Sequence, residues 1–167
     1  MDVEAFETTY KGILELNEED GPHHNVLEPK FQARDQAVAL EVTLKNCLKD
    51  DAKCFRAIDQ LSRVYMFIGN NMAETDEEKE ALEKLLRSYN CIKACIDGTM
   101  YNVIEEPKGD LIPILKQTTS LVGPHNNWQY VGTYCEVLNS LGVYLSNRDG
   151  VKQRVGDALH VLHIVED

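Results

Sequence analysis

Residues 126–147, NNWQYVGTYCEVLNSLGVYLSN, decide how the chain reads, because these 22 residues hold a single charged side chain, Glu136. Trp128, Val131, Cys135, Leu138, Leu141 or Gly142, and Leu145 recur at three- and four-residue steps, and Tyr130, Tyr134, Val137, Leu141 and Tyr144 form a second stripe of the same period. A helix apolar around most of its circumference belongs in a protein interior. Gln129, Thr133, Glu136, Asn139 and Ser140 are too polar for a membrane span of this length. The stretch therefore predicts a buried hydrophobic central helix wrapped by others, with Gly132 and Gly142 as points of close backbone approach.

Working outward, an N-terminal helix is expected over Val3–Leu16, with Phe6, Tyr10, Ile13 and Leu14 on one face. Pro29 opens a second, whose stripe is Ala33, Ala37, Leu40, Leu44 and Cys47 or Leu48. The third has the cleanest period: Cys54, Ile58, Leu61, Tyr65, Ile68 and Met72. The short Asp50-Asp51 junction makes these two an antiparallel hairpin. Thr75, with Glu78 three residues on, reads as a capping box for a fourth helix that stops near Gly98. Two more helices are expected, from Leu111 to Val122 and from Val151 onward. No period-two alternation marks a strand, so the chain reads as all-α. The expected architecture is a single helical domain over residues 1–167, a compact bundle of about seven helices around 126–147.

The 167 residues carry a formal net charge of −11. A protein that grips phosphates must neutralise them with Lys and Arg, so direct nucleic-acid binding is disfavoured. The first twenty residues hold seven carboxylates against Lys11, which places an acidic face at Glu15, Glu18, Glu19 and Asp20. Such a face steers a basic partner. Val161 and Ile164 fall off the apolar stripe of the last helix and form a second candidate contact patch. Five cysteines and no basic, apolar leader at Met1–Tyr10 point to the cytoplasm or another reducing compartment. No stretch reaches 18 apolar residues, so no membrane partner is expected.

Chemistry-bearing motifs are sparse. Phosphate-binding Gly-rich loops, H-E-x-x-H and G-x-S-x-G are absent, and no cofactor or metal is implied. Cys47, Cys54, Cys91 and Cys95 lack the C-x-x-C knuckles of a zinc site and read as small core residues. The loops at Gly21-Pro22-His23-His24-Asn25 and Gly123-Pro124-His125-Asn126-Asn127 share one composition. Brought together, His23, His24 and His125 would make a metal-dependent enzyme site. Trp128, Tyr130, Tyr134 and Glu136 would line a small-molecule or lipid pocket with Glu136 as its polar anchor. Asn127-Trp128-Gln129-Tyr130-Val131 resembles the Asn-Trp-Gly-Arg start of the central helix in apoptosis-regulator bundles, but lacks its Gly and Arg, and no family follows from it. The leading expectation is a non-enzymatic protein–protein interaction module, a regulator or inhibitor presenting an acidic face to a basic partner.

Overall fold

The structure, a computed structural model, describes residues 2–19, 27–50, 54–97 and 130–146. Five helices occupy them: α1 (Val3–Asn17), α2 (Leu27–Asp50), α3 (Phe55–Glu74), α4 (Glu78–Asp97) and α5 (Val131–Ser146). There is no strand among the described residues, and the all-α class holds. The helices expected at Leu111–Val122 and from Val151 onward lie outside the described residues, so the count of about seven is not established.

Among the described helices the hub is α3, which packs against each of the other four. From Ala57 to Gly69 only Asp59 and Arg63 escape full burial. Small side chains are the reason α3 can sit so close to α4. Ser62 Oγ donates to Ser88 O at 2.8 Å while Ser88 Oγ donates to Ser62 O at 2.7 Å. One helical surface further along, a Cβ added at Gly69 would lie 2.7 Å from Leu85 Cγ and 3.1 Å from Ala81 O. The two contacts set a single antiparallel register, Ser62 against Ser88 and Gly69 against Ala81 and Leu85.

Helix α5 corrects the expectation of a helix wrapped on all sides. Tyr134, Val137, Leu138, Leu141, Tyr144 and Leu145 are buried, but Gly132, Glu136, Asn139 and Val143 form an exposed line at steps of four, three and four. It is a one-faced amphipathic helix seated on α4 and α3. The exposed line carries one charge and little bulk, which is why the sequence reads as dry all round. A Cβ at Gly132 would meet nothing within 4 Å, so no backbone approaches there.

The α3–α4 turn also departs from expectation. Thr75 ends α3, its backbone N–H reaching Asn71 O and Met72 O, and Asp76 turns the chain with φ 61°. Helix α4 begins at Glu78, and the Ala81 N–H reaches back to Glu77 O at 2.9 Å. Thr75 therefore closes α3 rather than capping α4. Helix α1 docks through Phe6, Tyr10 and Ile13, spaced for one face, while Leu14 stays 40% exposed. Arg63 of α3 clamps it. Its guanidinium is held by the Glu7 carboxylate and lies over the rings of Phe6 and Tyr10, 5.1 and 4.7 Å from their centroids.

Candidate interaction surface

Helix α2 carries apolar side chains on two faces. Ala33, Ala37, Leu40, Leu44 and Leu48 are buried against the bundle, as their spacing predicts. Leu27, Phe31, Val38 and Val42 point away from it and are 42–53% exposed. At 100° per residue these four fall within about 60° of arc, along about 22 Å of helix. They account for four of the seven large exposed hydrophobics among the described residues. Sequence reasoning passed over this stripe, although its spacing of four, seven and four was readable.

A polar hub fixes the orientation of α2, and with it the outward aim of the stripe. Arg34 donates from Nε to Asn71 Oδ1 at 2.8 Å, from Nη2 to Thr75 Oγ1 at 2.7 Å, and from Nη1 and Nη2 to the two Glu77 carboxylate oxygens. Asn71, 1% exposed, donates in turn to Asn17 Oδ1 at 2.8 Å and Lys30 O at 2.9 Å. Lys30 reaches Asn17 O at 3.1 Å and Glu74 at 2.5 Å. The end of α1, the start of α2 and the α3–α4 turn are thereby joined. Hydrogen bonds from Arg34 and Thr75 hold the Glu77 carboxyl below its ordinary value. At the other end of α2, burial raises the Glu41 carboxyl, but the Lys45 hydrogen bond, the Lys84 and Lys45 charges and the Tyr65 hydroxyl outweigh it and keep it low. Tyr65 OH donates to Glu41 at 3.0 Å.

The hub draws the acidic end of α1 up to the first turns of α2. Glu15, Glu18 and Glu19 are exposed there, as a solvent-facing acidic surface requires. Asp20, Val161 and Ile164 lie outside the described residues. On α2 itself Glu28 and Asp35 flank the N-terminal half of the stripe, while Lys30 and Arg34 are engaged with Glu74 and Glu77, and Arg34 also lies over the Phe31 ring. The C-terminal half is balanced, with Glu41 and Asp50 against Lys45 and Lys49.

The alternative sites fare differently. Trp128, His23, His24 and His125 lie outside the described residues. Of the expected ligand pocket, Tyr134 is fully buried, Tyr130 is half-buried and Glu136 is exposed. An open groove of about 540 Å³ lies further along α5, between it and α3, lined by Asn70, Glu74, Asn139, Ser140, Val143 and Tyr144. Its polar groups are largely spent on each other and on their neighbours: Asn70 Nδ2 donates to Ser140 Oγ at 3.2 Å, Tyr144 OH to Glu78 O at 2.5 Å, and Glu74 holds Lys30. Few remain to fix a ligand. All five cysteines are free thiols, and among the described residues no three His, Cys, Asp or Glu side chains are placed to share a metal ion. Burial pushes the Cys91 thiol up to about 12 and raises Cys95, whose Sγ lies 3.4 Å from Phe55 O, so neither is poised as a thiolate. No described helix is long and apolar enough to cross a membrane.

Compared with known proteins, the chain matches no family model, no curated protein and no solved structure.

Proposed function

We propose that the protein is a non-enzymatic protein–protein interaction module whose docking surface is the outer face of α2. The observation that carries this reading is the stripe of Leu27, Phe31, Val38 and Val42, exposed on a helix whose opposite face is fully packed. Apolar side chains in a row, rimmed by polar ones, are the usual mark of a contact surface, whereas isolated exposed aliphatics are not. Helix-in-groove and helix-on-helix recognition use anchors at this spacing. The acidic groups beside the N-terminal half of the stripe support a regulator that meets a basic surface, and they would raise the association rate more than the final affinity.

The test replaces Val38 and Val42 together by Gln, which keeps charge and helix propensity while removing the apolar surface. Both positions are exposed, so circular dichroism and the urea midpoint should match the wild type. Affinity capture from an extract of the source cells should then yield a stoichiometric partner with the wild-type chain and lose it with the variant. Capture of the same protein by both forms would reject the α2 surface. In a captured pair, Glu18→Lys with Glu19→Lys should slow association and flatten its salt dependence.

A further inference from the structure

From the charges around this surface we infer that the partner presents a basic amphipathic helix, laid along α2 with its cationic half over the N-terminal half of the stripe. The inference rests on the interaction-module reading and adds the partner's chemistry and orientation. The stripe supplies apolar contacts over about four helical turns, the length over which one helix can lie against another. The flanks supply the orientation. Beside Leu27, Phe31 and Val38, α2 carries the carboxylates of Glu28 and Asp35, and Glu18 and Glu19 follow Asn17, whose carbonyl meets Lys30. Lys30 and Arg34 are paired with Glu74 and Glu77, and the Arg34 guanidinium also lies over the Phe31 ring, 5.0 Å from its centroid. Glu19, Glu28 and Asp35 are exposed and make no salt bridge within the described residues. Around Val42 the charges cancel.

The local excess matches the sign of the whole chain at −11, so local contacts and long-range field favour the same cation-bearing partner. A second copy of this chain fits less well. Antiparallel pairing about the middle of the stripe sets Asp35 against its own counterpart, and two copies of a strongly acidic chain repel each other.

The experiment uses the full chain and two synthetic helical peptides of about 18 residues, with identical apolar faces at i, i+4 and i+11 spacing. One carries Lys at the polar positions of one half and the other carries Glu there. Fluorescence anisotropy should show the Lys peptide binding at least tenfold more tightly than the Glu peptide. That binding should weaken at least tenfold in Val38→Gln/Val42→Gln, and several-fold, with reduced salt dependence, in Glu28→Gln/Asp35→Asn. Equal binding of the two peptides, binding by neither, or binding of the Lys peptide unaffected by the valine substitutions overturns the assignment. So does sedimentation showing the unliganded chain to be a dimer that Val38→Gln/Val42→Gln dissociates, because the face is then covered by a second copy. If the peptides fail while capture of a cellular partner still depends on Val38 and Val42, only the partner's chemistry is rejected. If that capture is independent of α2, the parent reading falls.

Discussion

At the scale of single residues, the informative group is Asp59, half-buried on α3, with its Oδ1 buried and lacking a hydrogen-bond partner. Burial raises its carboxyl; the Thr133 hydrogen bond and the Arg63 charge oppose this, and Glu7 and Glu136 add to it. A carboxyl raised in the folded state binds protons more readily there than in the unfolded chain. Its ionised form therefore costs stability above the folded value, and that cost fades as pH falls through it. Asp59→Asn, which keeps an acceptor for Thr133 and removes the buried charge, should raise the unfolding free energy at pH 7 by about 1 kcal/mol. The gain should shrink as pH is lowered toward 4. Urea melts of both proteins from pH 4 to 8 measure it, and a variant no more stable at any pH would show that the ionised carboxyl is tolerated there without cost. The cysteines give a second residue-scale test. Cys47, Cys54 and Cys135 are partly exposed while Cys91 and Cys95 are buried, so an aromatic disulfide reagent at pH 8 should modify three thiols quickly and the other two only on unfolding.

At the scale of elements, the α3–α4 contact shows what the sequence does and does not disclose. The period of Cys54, Ile58, Leu61, Tyr65, Ile68 and Met72 locates α3 and its inward face, and the stripe of α2 is read as well. Which helix is the hub was not legible. Closeness is set by Ser62, Gly69 and Ser88, residues that register as indifferent on any hydrophobic pattern, whereas the aromatic density of 126–147 draws attention to a helix with one exposed face. The α2 surface was legible but overlooked, since attention to the inward stripe leaves the opposite one to be counted as ordinary exposure. The two glycines separate these effects experimentally. Gly69→Ala gains about 1 kcal/mol of helix propensity but drives a methyl against Leu85 and the Ala81 carbonyl, an overpacking that costs typically 1–3 kcal/mol. Net destabilisation is expected, and Leu85→Val should be less harmful in the Gly69→Ala background than in the wild type. Gly132→Ala, with open space around it, should instead stabilise by up to about 1 kcal/mol. Equal responses at both sites would refute the close approach of α3 and α4.

At the scale of the whole molecule, two electrostatic effects of opposite sign compete. A net charge of −11 pushes the compact chain apart, and screening or mild acidification relieves that repulsion. The ion pairs Glu7–Arg63, Lys30–Glu74, Arg34–Glu77 and Glu41–Lys45 join or buttress the helices and would be weakened by the same treatments. Their response is unequal. Glu41 is buried and little screened, whereas Glu7, Glu74 and Glu77 keep 38–50% of their side chains in water, where such pairs contribute about 0–1 kcal/mol. Relief of repulsion should win over salt, so the urea midpoint should rise between about 0.02 and 0.5 M sodium chloride. Acid acts in two stages. The carboxyls of Glu7, Glu41 and Glu77 are held below their ordinary 4.5, so the stability they contribute is fully present above that value and is lost as pH falls through their folded-state values. Between pH 7 and about 5 these low-held carboxyls stay ionised and their pairs persist, while a carboxyl raised by burial, such as Asp59, begins to take up a proton. Stability should therefore pass through a maximum at mildly acidic pH and fall steeply below about 4.5. A midpoint that declines steadily from pH 7 downward, or that falls on adding salt, would mean that the inter-helix ion pairs outweigh the self-repulsion of the acidic surface.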